Sequence, residues 1–88
     1  MNEERVKDLL RGKGLKVTSQ RMIVLDIMAS RPGEHLTAEE IYDLAKENSP
    51  DIGLATIYRT VQVLLELHII NKVTFDDGFA RYELNGDE

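Results

Sequence analysis

The sequence has no cysteine, which excludes disulfides, thiolate zinc sites and a thiol nucleophile. It has no Gly-rich phosphate loop, and its two histidines and scattered carboxylates form no catalytic constellation. Ser19 and Ser49 have no evident base nearby, so the reading is not an enzyme. No apolar run is long enough to span a bilayer. The opening Met1-Asn2-Glu3-Glu4-Arg5 lacks the apolar stretch of a signal peptide. The expectation is a cytoplasmic chain with no membrane partner. Basic residues are also in deficit, 11 Lys and Arg against 16 Asp and Glu, for a net charge of −5. On average that argues against nucleic acid.

The distribution of charge changes that argument. Arg5, Lys7, Arg11, Lys13, Lys16 and Arg21 share their segment with one acid, Asp8. Most of the acids concentrate elsewhere, at Glu34, Glu39, Glu40, Asp43, Glu47 and Asp51, and again at Asp76, Asp77, Asp87 and Glu88. A basic first third beside an acidic remainder suits a domain that turns one face to phosphate.

At 88 residues, 42% hydrophobic and 31% charged, the chain has room for one small folded domain over residues 1–88. With no disulfide or structural zinc available, a compact helical core must suffice. Asn2 caps a first helix whose stripe is Val6, Leu9 and Leu10, and which Gly12 and Gly14 end. Thr18 or Ser19 caps a second, with Met22, Ile23, Leu25, Ile27 and Met28 as core material, closed by Arg31-Pro32-Gly33. Thr37-Ala38-Glu39-Glu40 is a capping box opening a third, with Ile41, Leu44 and Ala45 inward. Asn48-Ser49-Pro50-Asp51 is a loop. A fourth helix runs to about Leu67 and His68. The period then changes to alternation around Ile70, Lys72 and Thr74, and again from Phe79 to Leu84, with Asp77-Gly78 as a hairpin turn signal. Val73, Phe75, Phe79, Tyr82 and Leu84 are the apolar residues offered to cover the helices. Helix-turn-helix followed by a hairpin predicts a mainly α winged helix: four helices, then a two-stranded antiparallel wing.

The fourth helix has two unlike faces. At about 100° per residue, Ile57, Val61, Leu64 and Leu65 gather on one side. Ala55, Tyr58, Arg59 and Gln62 gather on the other. A small residue, an aromatic ring, a guanidinium and an amide are what a helix needs to read base edges in a major groove. Arg59 carries five donors in a fixed fork that suits a guanine edge or a phosphate. Ala55 and Thr56 sit in the first turn, where free N–H groups and the helix dipole favour a phosphate. For any one of these residues a plain alternative exists: a solvated charge, a half-buried ring, or helix propensity alone.

Four segments bear a closer likeness. Gly14-Leu15-Lys16-Val17-Thr18 with Gln20-Arg21, then His35-Leu36-Thr37-Ala38-Glu39-Glu40-Ile41-Tyr42, then Ile52-Gly53-Leu54-Ala55-Thr56-Ile57-Tyr58-Arg59, and Arg81-Tyr82-Glu83-Leu84 resemble the ferric uptake regulator family in order and spacing. The resemblance covers nearly the whole chain and the N-terminal half of a family member. It implies a DNA-binding domain of a metal-dependent transcriptional repressor that binds double-stranded DNA at A/T-rich inverted repeats. It also implies a metal-binding and dimerisation domain beyond this chain, through which the full-length protein is a homodimer.

By the same resemblance Arg59 lies in the major groove, and Tyr58 packs on thymine methyl groups and donates its hydroxyl to a phosphate. Lys16 enters a narrow A/T-rich minor groove, and Arg21 contacts the backbone. His35 and Glu83 match ligands of the regulatory metal site, whose other ligands come from the further domain. Imidazole and carboxylate suit Fe(II), Mn(II), Co(II) or Zn(II). Two ligands seldom hold a metal tightly, so no tightly bound cofactor is expected here, with Fe(II) or Zn(II) in the full-length protein. Arg59 after Tyr58, and Glu83, stand where peroxide-sensing members tend to have Asn and Asp, which favours an iron or zinc regulator. The rival from another class is a winged-helix protein–protein interaction domain without sequence-specific DNA binding, which the acidic net charge would suit.

Overall fold

The computed structural model describes residues 3–85. Its elements run α1 (Glu3–Gly12), α2 (Ser19–Ala29), α3 (Ala38–Asn48), α4 (Leu54–Glu66), β1 (Ile70–Thr74) and β2 (Ala80–Leu84). The expected cap at Asn2 and the side chain of Val6 lie outside the described residues.

Local chemistry sets each boundary. α1 ends in a left-handed Gly14, φ 79°. There the Leu15 amide donates to the Leu10 carbonyl at 2.9 Å and the Gly14 amide to that of Arg11 at 3.0 Å, a Schellman closure. Thr18 caps α2, its Oγ1 accepting from the Arg21 amide at 3.2 Å. Thr37 and Glu40 form the expected capping box, at 3.1 and 2.9 Å in the two directions. α4 differs: its N-cap is Gly53, with no side-chain cap. Its other end repeats the Schellman closure, Ile69 amide to Leu64 carbonyl at 3.0 Å. The left-handed position there is filled by His68, φ 61°.

The core lies where the helices meet the wing. Leu10, Val24, Leu25, Ile41, Ile57, Val61, Leu64 and Ile70 are its largest fully buried side chains. Each such aliphatic burial contributes about 1.5–3 kcal/mol. The exposed pairs Asp8–Arg11, at 3.9 Å, and Asp43–Lys46, at 3.8 Å, add about 0–1 kcal/mol each. Apolar packing therefore holds the fold. Val24 and Thr60 are buried although the helix pattern did not single them out. Thr60 satisfies its hydroxyl on the Thr56 carbonyl at 2.8 Å.

The wing is the expected antiparallel pair, with Ile70 opposite Leu84 and Lys72 opposite Tyr82. That register corrects the list of covering residues. Ile70 and Tyr82 are buried, and Leu84 packs against the core. Val73 pairs with Arg81, so side-chain alternation sends Val73 to the opposite face. Phe75 and Phe79 fall in the turn, 42% and 59% exposed. The turn itself is longer than Asp77-Gly78 alone suggests. The Gly78 amide donates to the Phe75 carbonyl at 3.0 Å, Gly78 is left-handed at φ 82°, and the Asp77 carboxylate accepts from the Phe79 amide at 3.0 Å.

A further pairing joins the wing to the loop before α3. Leu36 and Tyr82 exchange both backbone hydrogen bonds, at 3.0 and 2.7 Å, as an isolated antiparallel bridge. Continuing that register by one residue sets His35 beside Glu83.

Candidate nucleic-acid interface

α4 presents the two faces its sequence describes. Ile57, Thr60, Val61 and Leu64 are buried, while Ala55, Tyr58, Arg59 and Gln62 are exposed. Leu65 is only partly buried and packs at the edge of the core. Core packing on one side therefore fixes the direction in which the other side points.

Arg59 is free to act outward. Its Nη2 lies 3.4 Å from Thr56 Oγ1, and among the described residues no carboxylate pairs with it. Gln62 reaches only a long 3.4 Å contact to Glu66. Tyr58, 45% exposed, is held differently: its hydroxyl, expected to donate to a phosphate, donates here to a carboxylate oxygen of Glu39 on α3. That bond holds the Glu39 carboxyl below its ordinary range and pushes the Tyr58 phenol above its own. Sequence pattern alone did not find this contact, because the residues lie on different helices.

Arg21 and Arg59 come together. Both line a cleft between α2 and α4, with Thr18, Gln20, Thr56, Thr60 and Val63. Arg21 also spans back to the preceding loop, where its Nη1 donates to the Lys16 carbonyl at 3.0 Å. The expected role for Arg21 was a backbone contact with a partner. Here it also fixes the loop that carries the exposed Lys16. A neighbouring depression joins the start of α2 to the start of α4, lined by Ser19, Gln20, Asn48, Ser49, Gly53 and Thr56 among others. Because Gly53 offers no side-chain cap, the first turn of α4 leaves backbone donors for an outside acceptor, although the Thr56 amide is not one of them: it donates to the Gly53 carbonyl at 3.1 Å.

His35 and Glu83 do meet. His35 Nε2 and Glu83 Oε1 stand 2.8 Å apart, each side chain 35% exposed. The His35 and Phe75 rings pack edge to face, centroids 5.7 Å apart, and Arg81 lies over the Phe75 ring at 4.9 Å. The donor types fit a transition-metal ion. At 2.8 Å the two side chains are in direct hydrogen-bond contact. They are a pair and no more: among the described residues no group of three or more His, Cys, Asp or Glu could hold an ion. Among the described residues no helix is long and apolar enough to cross a membrane.

Comparison with known proteins agrees with this architecture. The profile described as "Ferric uptake regulator family" matches residues 12–88. The ferric uptake regulation protein of Bacillus subtilis is 43% identical over 81 residues, covering 92% of this chain and 54% of its own. Among solved structures, a zinc-bound manganese uptake regulator superposes with a TM-score of 0.86 at 30% identity, covering 94% of this chain and 62% of that one. The Vibrio cholerae ferric uptake regulator superposes with a TM-score of 0.82 at 32% identity, covering 90% and 60%. The chain thus spans little more than half the length of the relatives it matches, and it aligns with regulators, not enzymes. Its winged helix and the matches across nearly all of its length place this chain in the ferric uptake regulator family.

Proposed function

We propose that this chain is the DNA-binding domain of a metal-responsive repressor, and that the outer face of α4 reads the major groove of an A/T-rich inverted repeat. The observation that carries the reading is the exposed Arg59, unpaired with any described carboxylate, beside Tyr58 and Gln62 on a helix whose other face is locked in the core. The uncapped start of α4, with Ala55 and Thr56, takes a phosphate. Lys16, on a loop tied down by Arg21, reaches the neighbouring minor groove, and Arg21 lies where it can also meet the backbone.

His35 and Glu83 supply two ligands of a regulatory metal site, completed by residues of a dimerisation domain that we assign to the longer protein. Iron is the metal we favour, with zinc next. The metal would fix the angle between two copies of α4 in a homodimer. Engaging both half-sites at once raises affinity without any new contact.

A binding titration against duplex DNA across a salt series tests the reading. Log affinity should fall linearly with log salt. Lys16→Ala should weaken binding and lower the slope by about one, with a smaller loss of sequence preference than a change on α4. Indifference to DNA even at low salt would favour a protein-interaction domain instead.

A further inference from the structure

Two acidic residues open α3, and the fold gives them different tasks. Glu40 closes the capping box on the Thr37 amide. Glu39, one position earlier, crosses to the next helix and accepts the hydroxyl of Tyr58. Both partners are exposed, so the contact lies on the surface and not in the core. Exposed polar pairs of this kind add little to folding stability, and stability alone does not account for the placement. Its geometric effect is larger. A surface tyrosine ordinarily exchanges between staggered rotamers. A charge-assisted hydrogen bond to the first turn of a packed helix holds it in one.

We propose that Glu39 is a positioning residue for sequence reading: it holds the Tyr58 ring in the orientation that presents it, beside Arg59, to the groove. The proposal rests on the reading of α4 as the groove-facing helix. The carboxylate has a second consequence. It places a negative charge beside a surface that meets phosphate, so it weakens attraction to DNA of any sequence. Binding that does not engage the Tyr58 ring gains nothing in return. Glu39 therefore raises the ratio of specific to non-specific affinity while lowering the overall affinity.

The test compares two duplexes of equal length, one recovered by selection from a random library with this chain, the other its shuffled sequence. Fluorescence anisotropy gives the affinity ratio for each variant, and circular dichroism confirms that each is folded. Glu39→Ala and Tyr58→Phe should each lower the ratio by about 3- to 10-fold, the range one hydrogen bond provides. The double variant should lose no more than either single one, because both remove the same contact. Glu39→Gln still accepts the hydroxyl; it should keep the ratio while binding both duplexes more tightly. A Glu39→Ala ratio equal to the wild type, or losses that add in the double variant, would overturn the positioning role alone. If selection enriches no sequence, or the wild type binds both duplexes equally, the groove-reading assignment of α4 fails and takes the positioning role with it.

Discussion

An imidazole and a carboxylate 2.8 Å apart are the pair we propose as part of a coordination shell. That His35 and Glu83 would serve together came from resemblance, since nothing in their spacing along the chain joins them. The structure supplies the physical link, the Leu36–Tyr82 bridge, whose one-residue pairing was too short to leave an alternating pattern. Two donors close only part of an ion's shell, and the rest falls to water. Calorimetry of this chain with Zn(II) or Co(II) should therefore show weak, unsaturated uptake. Stoichiometric submicromolar binding that Glu83→Ala abolishes would contradict a shared site. Arg59 was legible from sequence, because helical periodicity places it opposite Ile57 and Val61. The Tyr58–Glu39 bond was not, because it depends on how α3 and α4 pack.

At the scale of elements, the boundaries were largely legible where side chains make them. The Thr37–Glu40 box and the Thr18 cap follow directly from residue types at fixed offsets. The end of α4 falls where expected, near Leu67 and His68, but its left-handed closure was not legible, because a histidine occupies a position that usually holds glycine. His68 is left-handed and exposed, while its neighbour Ile69 is buried against Leu64. A left-handed side-chain-bearing residue costs about 1–2 kcal/mol, and glycine gives back part of that through a freer unfolded chain. His68→Gly should therefore stabilise the domain by about 0.5–1 kcal/mol, read as a higher urea midpoint with unchanged slope. A lower midpoint would mean that the imidazole makes a stabilising contact. The wing shows a different limit. Alternation was visible in both strands, but which face is inward depends on register. Tyr82 and Ile70 took the inner face, and Val73, Phe75 and Phe79 did not.

At the scale of the whole molecule, an acidic chain offers a cationic edge. Net charge averages over surfaces that do different things. Arg21 and Arg59 converge in one cleft, with Lys16 on the loop that Arg21 holds. The two acids that open α3 are divided: Glu40 serves the helix start and Glu39 serves Tyr58. Composition could not separate these surfaces, and packing does. The central claim is that the outer face of α4 reads sequence and does not merely attract phosphate. The most direct measurement is the affinity of wild type and Arg59→Ala for the selected duplex and its shuffled counterpart at one fixed salt concentration. Arg59→Ala should lose about 1–3 kcal/mol on the selected duplex and much less on the shuffled one, so that the two affinities converge. A variant that keeps the wild-type ratio would contradict that claim.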